Sequence, residues 1–400
     1  MMNMKSVAFL VLFSALMPCS CAGDANVVKR GSLDNSRIQF QTQKKGHVAF
    51  MGGSITEMNG YRPMVCEILQ KRFPETQFTF TPAGIASTCS TTGAFRLKTD
   101  VLDAGPVDMF FVEFAVNDDQ DAHHTRAACI RGMEGIIRHV RKHNPKADIV
   151  ITYFVNESSM EKYNKGETPL PVAAHEEVAA HYQVSSSNLA KAVTARIAAG
   201  EFDWKKFGGV HPAPFGNRIA ADMIGQLLDD AWAQPLPAGA AAKDHPLPEK
   251  PLDEFNYSGG RFLDPKDVKL VEGWQNHVPD WAKISGSKRG RFTTVPVFEA
   301  TKPGATLTID FSGSAIGAYV VAGPDTGTVE ASIDGGPSTK INFFHHFSKG
   351  LHYPRTVMFA DTLPPGKHTL TLKISESKDD QSTGTAARVL HFVVNDGAKP

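Results

Sequence analysis

Residues 48–56 read Val48-Ala49-Phe50-Met51-Gly52-Gly53-Ser54-Ile55-Thr56. Four apolar residues in a row, without polar alternation, suit a strand covered on both faces. A glycine pair then breaks the strand, and a serine follows at once. Apolar residues return at helical spacing at Val65, Ile68, Leu69 and Phe73, and Phe78 and Phe80 mark another strand. The pattern repeats downstream. Val107 to Val116 reads as a largely apolar strand, Met133, Ile136, Ile137 and Val140 as a helix face, and Ile149-Val150-Ile151 as the next strand. Val178 to Ala198 and Ala213 to Trp232 read as two further long helices. Strands alternating with helices predict a parallel sheet between helical layers, a three-layer α/β/α domain over residues 40–232.

The rhythm changes after a joint at 233–251, where Pro235, Pro237, Pro246, Pro248 and Pro251 flank the run Ala238-Gly239-Ala240-Ala241-Ala242. Such a stretch continues neither helix nor central strand, so it reads as a linker. Beyond it the period is two: Leu307, Ile309 and Phe311 alternate with polar residues, as do Leu370, Leu372 and Ile374. Asp334-Gly335-Gly336 after Val329–Ile333 reads as a hairpin turn. Residues 252–397 are therefore expected to form an antiparallel β-sandwich.

The 400-residue chain has 42 Lys+Arg against 42 Asp+Glu and 42% hydrophobic residues. A formal charge of zero without a long basic run argues against a nucleic-acid partner. The 25 Phe supply enough apolar surface to exclude a disordered chain. At the N-terminus, Lys5 precedes the apolar run Val7–Phe13, and small residues follow at Ser20-Cys21-Ala22. This is the pattern of a signal peptide over residues 1–22. The run is shorter than the ~20 residues that a transmembrane helix needs, so no membrane span is expected. The protein is expected to be secreted or periplasmic, with a lipid-anchored outer-surface form through Cys19 or Cys21 as the alternative. Cys66, Cys89 and Cys129 remain after cleavage, an odd number that leaves at least one free thiol.

Three short blocks carry chemistry. Ser54 sits on a glycine-rich turn after a strand, at the sheet edge where open α/β folds bind ligands; it is a candidate nucleophile or a helix cap. In Glu113-Phe114-Ala115-Val116-Asn117-Asp118, Asn117 is expected at the end of a buried strand. Its amide there can donate to a developing oxyanion, an interaction worth ~3–4 kcal/mol in comparable sites. In Gly208-Gly209-Val210-His211-Pro212, His211 lies in a loop just before a helix. A hydroxyl, an imidazole base and oxyanion donors together are the requirements of covalent acyl transfer.

In this order the blocks resemble the SGNH/GDSL hydrolase family of esterases and lipases, over roughly residues 46–232. The resemblance implies a flavodoxin-like SGNH hydrolase domain with Ser54 as nucleophile, His211 as base and Asn117 in the oxyanion hole. It implies no cofactor and no metal. Aligning Pro82-Ala83-Gly84-Ile85-Ala86-Ser87-Thr88 on the family pattern puts Ser87 where an oxyanion glycine usually falls, with Gly84 as the donor in a shifted register. Only the backbone N–H is needed, so Ser87 serves if its backbone can adopt the required conformation. The chain departs from the family twice. Gly53 replaces an Asp that supports the oxyanion loop, and Gly208 replaces the acid three residues before the His. Either His211 works in a dyad, or Asp203, Glu113 or Asp118 substitutes, Asp203 being nearest in sequence. The sandwich resembles accessory carbohydrate-binding modules. Together these imply a serine ester hydrolase that deacetylates a polysaccharide or oligosaccharide, with an acetylated carbohydrate as its partner. The alternatives are a lipase or thioesterase on the same fold, and a catalytically lapsed carbohydrate-binding protein. Protein partners are not legible.

Other features read as structural. His139 and His143 lie among Arg138, Arg141 and Lys142, which suits a solvated face, and His123-His124 and His345-His346 are read likewise. Arg96 is either a salt-bridge residue or a substrate contact. Trp204, Trp274 and Trp281 read as packing residues, with sugar stacking as the alternative.

Overall fold

A computed structural model describes residues 26–396; the expected signal peptide, with Cys19 and Cys21, lies outside them. Among the described residues no helix is long and apolar enough to cross a membrane.

The first sheet contains β1 (Val27–Val28), β2 (Lys45–Gly52), β3 (Gln77–Gly84), β4 (Met109–Val112), β5 (Asp148–Thr152) and β6 (Ser185–Ser187), in the order β1-β6-β5-β4-β2-β3. All pairs are parallel except β1 with β6. Among the helices around this sheet are α1 (Ser54–Glu57), α2 (Tyr61–Arg72), α3 (Ser90–Asp100), α4 (Ala115–Gln120), α5 (Arg126–His143), α6 (Leu170–His181), α7 (Leu189–Ala198), α8 (Trp204–Phe207) and α9 (Pro214–Ala231). Alternate residues of each central strand feed two separate cores. Phe50, Phe111 and Val150 pack with Val65, Leu69, Ile224 and Leu228 on one face. Ala49, Phe110, Val112 and Ile151 pack with Phe95, Ile136 and Val178 on the other. Burial on both faces explains why these strands are continuously apolar in sequence.

Two readings need correction. The apolar run Val107–Val116 is not one strand: β4 stops at Val112, and the chain turns through Phe114 into α4. The stretch Val178–Ala198 is not one helix. Gln183 adopts a left-handed φ of 52°, β6 intervenes, and the Asn188 side chain caps α7 by accepting from the Lys191 N–H at 2.9 Å. The serines of β6 carry no hydrophobic signal, so periodicity passed over them.

The second unit holds two antiparallel sheets. One orders β15 (Tyr353–Ala360), β12 (Ala315–Ala322), β17 (Ala387–Asn395), β10 (Val297–Ala300) and β9 (Gln275–His277), with β7 (Gly260–Phe262) also on β17. The other orders β14 (Thr339–Asn342), β13 (Thr328–Ile333), β16 (Gly366–Ile374), β11 (Thr306–Gly313) and β8 (Val268–Glu272). The period-two residues face each other across β11 and β16, Leu307 opposite Leu372 and Ile309 opposite Leu370. Asp334 and Gly335 both take positive φ between β13 and β14, as a tight hairpin turn requires. Trp274 and Trp281 are buried, which makes them core residues.

Residues 233–251 contain no helix or strand. Arg138 and Arg141 of α5 donate to the Pro248 and Pro246 carbonyls at 2.8 and 2.7 Å, holding this stretch against the first unit. The apolar cluster around Phe95 of α3 also runs on into Tyr319, Leu390 and Val393 of the sandwich, so the two units share one continuous core.

Candidate active site

The carboxyl ends of β2, β3 and β4 align, with Gly52 opposite Gly84 and Met51 opposite Val112. That register brings the segments after Gly52, Gly84 and Val112 to one sheet edge. Ser54 opens α1 there and is half-buried. Its turn is pinned from below. Glu113 is fully buried and accepts from the Gly53 N–H at 2.9 Å and from the Thr56 hydroxyl at 2.8 Å. Burial pushes the Glu113 carboxyl up to about 8. Arg96, also fully buried, donates to the Gly52 carbonyl at 3.0 Å, the Ala83 carbonyl at 2.7 Å and Asp100 at 2.7 Å. Arg96 thus ties β2 to β3 just beneath the turn.

His211 reaches Ser54 across the loop between α8 and α9. Its Nε2 lies 2.7 Å from the Ser54 Oγ, and the ring is exposed to solvent. The loop depends on Gly208, whose φ is 109° and whose absent Cβ would fall 1.9 Å from the Ala213 nitrogen. No side chain fits there, which is the physical reason an acid cannot occupy this position in this chain.

Asn117 lies on the first turn of α4 rather than at a strand end, yet its amide arrives beside the nucleophile turn. A Cβ on Gly53 would sit 2.0 Å from its Oδ1, so the missing side chain at position 53 makes room for the amide. One Asn117 Nδ2 hydrogen goes to Asp121 at 2.7 Å, leaving the second for a ligand. Ser87 follows β3 with φ at 70°, the left-handed conformation that glycine adopts freely and serine does not. Gly84 has a different role. It sits in the ladder opposite Gly52, where a Cβ would fall 2.2 Å from the Glu57 nitrogen, so its absence lets the backbone of α1 approach.

None of the three candidate acids bonds His211 among the described residues. Asp203 caps α8 by accepting from the Lys206 N–H at 2.6 Å. Glu113 serves the Gly53 turn as above. Asp118 is fully buried and accepts from the Ser90 N–H at 2.8 Å and the Ser90 hydroxyl at 2.7 Å; His175 lies 3.0 Å away. The imidazoles of His124 and His175 hold its carboxyl well below the usual carboxylate range, against the opposing effect of burial. Ser54 and His211 therefore form a hydroxyl–imidazole pair that, among the described residues, none of the three candidate acids joins, with the Asn117 amide beside Gly53.

Asp118 also gathers Cys89 with His124, and Cys129 with His175. Its oxygens are already engaged by Ser90 and His175, so the cluster is a hydrogen-bonded anchor for the start of α3. The three cysteines Cys66, Cys89 and Cys129 are all free. The reading of His124 and His345 as solvated needs correction: His124 packs against Asp118, and His345 is buried with its Nε2 2.8 Å from the Asp121 carbonyl. Two further residues near the site, Arg289 and Tyr353, escaped sequence reasoning. They come from the sandwich, more than two hundred positions from the residues they touch, and no local pattern marks them.

Residues 50–219 match the GDSL-like Lipase/Acylhydrolase family. No curated protein matches the chain. Among solved structures, a two-domain esterase (CEX) active on acetylated mannans, crystallised with mannopentaose, superposes with a TM-score of 0.75 at 20% identity, over 94% of this chain and 98% of that one. A second structure of such an esterase gives 0.73 at 20% identity, over 92% and 97%. These likenesses establish the two-unit fold. The chain carries a GDSL-like lipase/acylhydrolase domain and is a carboxylic ester hydrolase.

Proposed function

We propose that this GDSL-like acylhydrolase is an exported serine esterase that removes acetyl groups from a polysaccharide. The observation that carries the reading is the 2.7 Å separation of the Ser54 Oγ and His211 Nε2, on an open surface beside the Asn117 amide. His211 takes the Ser54 proton as the oxygen attacks the ester carbonyl. The negative charge that develops on the carbonyl oxygen is met by the Ser54 N–H, the Ser87 N–H and the free Asn117 N–H. His211 then protonates the departing sugar oxygen, leaving an acetylated Ser54. Water activated by the same imidazole releases acetate and restores the serine. With none of the three candidate acids bonded to it, His211 acts as one half of a dyad; losing the acid lowers the rate without abolishing catalysis, because the oxyanion donors act independently of it.

The choice of acetyl esters on a carbohydrate draws on the accessory sandwich and on the fold shared with an esterase active on acetylated mannans. Export draws on the pattern at residues 1–22. The test is hydrolysis of a short aryl acetate by the parent protein and by Ser54→Ala, followed by acetate release from acetylated mannan and xylan. Equal turnover by the two proteins would refute the nucleophile, and preference for long acyl chains would favour a lipase instead.

A further inference from the structure

We propose that the β-sandwich completes the oxyanion hole, with Arg289 and Tyr353 as positioning residues that hold the Ser87 N–H and the Asn117 amide in working geometry. The inference rests on the reading of Ser54 as nucleophile.

The first line of support begins with strain. Ser87 is held at φ 70°, in the left-handed region that an L side chain disfavours. Released, it relaxes toward negative φ and reorients its N–H. One guanidinium prevents this. Arg289 donates through Nη1 to the Ala86 carbonyl at 2.8 Å and through Nη2 to the Ser87 Oγ at 2.9 Å. It thus grips the peptide before Ser87 and the side chain beyond it. The Ala86 N–H goes to Glu57 at 3.0 Å, and Glu57 is in turn 3.3 Å from Arg291, two residues after Arg289. Glycine needs no such restraint, so the arginine accounts for a serine standing where relatives of this pattern carry glycine.

The second line reaches the other donor from a different segment. The Asn117 amide is oriented by Asp121, whose second carboxylate oxygen accepts from the Tyr353 hydroxyl. The Asp121 carbonyl is held by His345. Asn117 and Asp121 belong to the hydrolase unit, whereas Tyr353 and His345 belong to the sandwich. Hydrogen bonds from two segments of the sandwich therefore reach the two oxyanion donors that Ser54 does not itself supply, with Tyr353 lying beside Ser87 as well as Asp121. Oxyanion stabilisation depends on donors fixed before charge develops. Loosening their supports lowers kcat while leaving ground-state binding intact.

The experiment uses the full chain and an aryl acetate, an ester too small to sense lost polysaccharide contacts. Arg289→Ala and Tyr353→Phe are each expected to lower kcat by ~10–100-fold, with KM little changed and cooperative thermal unfolding retained. Free guanidinium at millimolar concentration is expected to restore part of the Arg289→Ala rate, and urea at the same concentration to restore none. Parental kcat in both folded variants, or a loss confined to KM, would overturn the inference. If Arg289→Ala fails to fold, Tyr353→Phe, which deletes a single oxygen, decides the question alone. A parent protein no more active than Ser54→Ala would instead remove the esterase reading, and this inference with it.

Discussion

The Glu113 carboxyl accepts the backbone N–H of Gly53 at 2.9 Å, one residue before the hydroxyl that meets His211. Its other oxygen, Oε2, is buried without a partner. A carboxyl so enclosed is easier to keep neutral than charged, and burial raises it to about 8 from an ordinary value near 4.5. Between those two values the unfolded chain releases a proton that the folded chain retains. The unfolded state therefore binds fewer protons, and this group's contribution to stability falls as pH rises through that window. Glu113→Gln keeps an oxygen for the Gly53 N–H and cannot ionise. Relative to the parent, its melting temperature is expected to gain steadily from pH 5 to pH 8. A difference that stays constant with pH would contradict the assignment.

Asn117 has one amide hydrogen free beside Gly53. Asn117→Ala is expected to lower kcat on an aryl acetate by ~10²–10³-fold with KM nearly constant, the signature of a donor that acts on the transition state. A rise in KM at parental kcat would make Asn117 a substrate-binding residue.

His211 and Asp203 should separate cleanly. His211→Ala is expected to cut kcat by at least ~10³-fold, because His211 is the group that meets the Ser54 hydroxyl, at 2.7 Å. Asp203→Ala is expected to leave kcat near that of the parent while costing ~1 kcal/mol of stability through loss of the α8 cap. Steady-state rates and urea midpoints for both variants check this. A collapse of kcat in Asp203→Ala would restore Asp203 as the orienter.

Gly208→Asp puts the family's usual acid back at its usual place. It is expected to fail as a repair. The left-handed φ of 109° costs an aspartate ~1–3 kcal/mol, and its Cβ meets the Ala213 nitrogen. A lower melting temperature and a lower kcat are the expected results. A faster enzyme would mean that the loop can rearrange to seat a third member.

The local signals in the chain were enough for the architecture. Val48–Met51 is apolar throughout because β2 is covered on both faces, and β11 alternates because only one face of its sheet meets the core. Ser54, His211 and Asn117 each sit in a short motif at a strand end or helix start that singles them out in sequence, and the fold brings the three to one sheet edge. Where the signal was not hydrophobic, the reading failed. The serines of β6 and the turn through Phe114 follow from hydrogen bonds and a left-handed residue, which periodicity does not register.

What the linear chain determined by itself, then, was the type of each layer and the kind of chemistry at the sheet edge, since both follow from near neighbours. Tertiary structure alone decided which groups meet. Burial at the base of the turn turned Glu113 into a support for Gly53. Close approach of Ala213 to Gly208 closed the usual place of an acid. The folding of a distant sandwich onto α3 brought Arg289 to Ser87 and Tyr353 to Asp121. Such contacts join residues hundreds of positions apart, and their energy depends on distance in space, which no run of adjacent residues encodes.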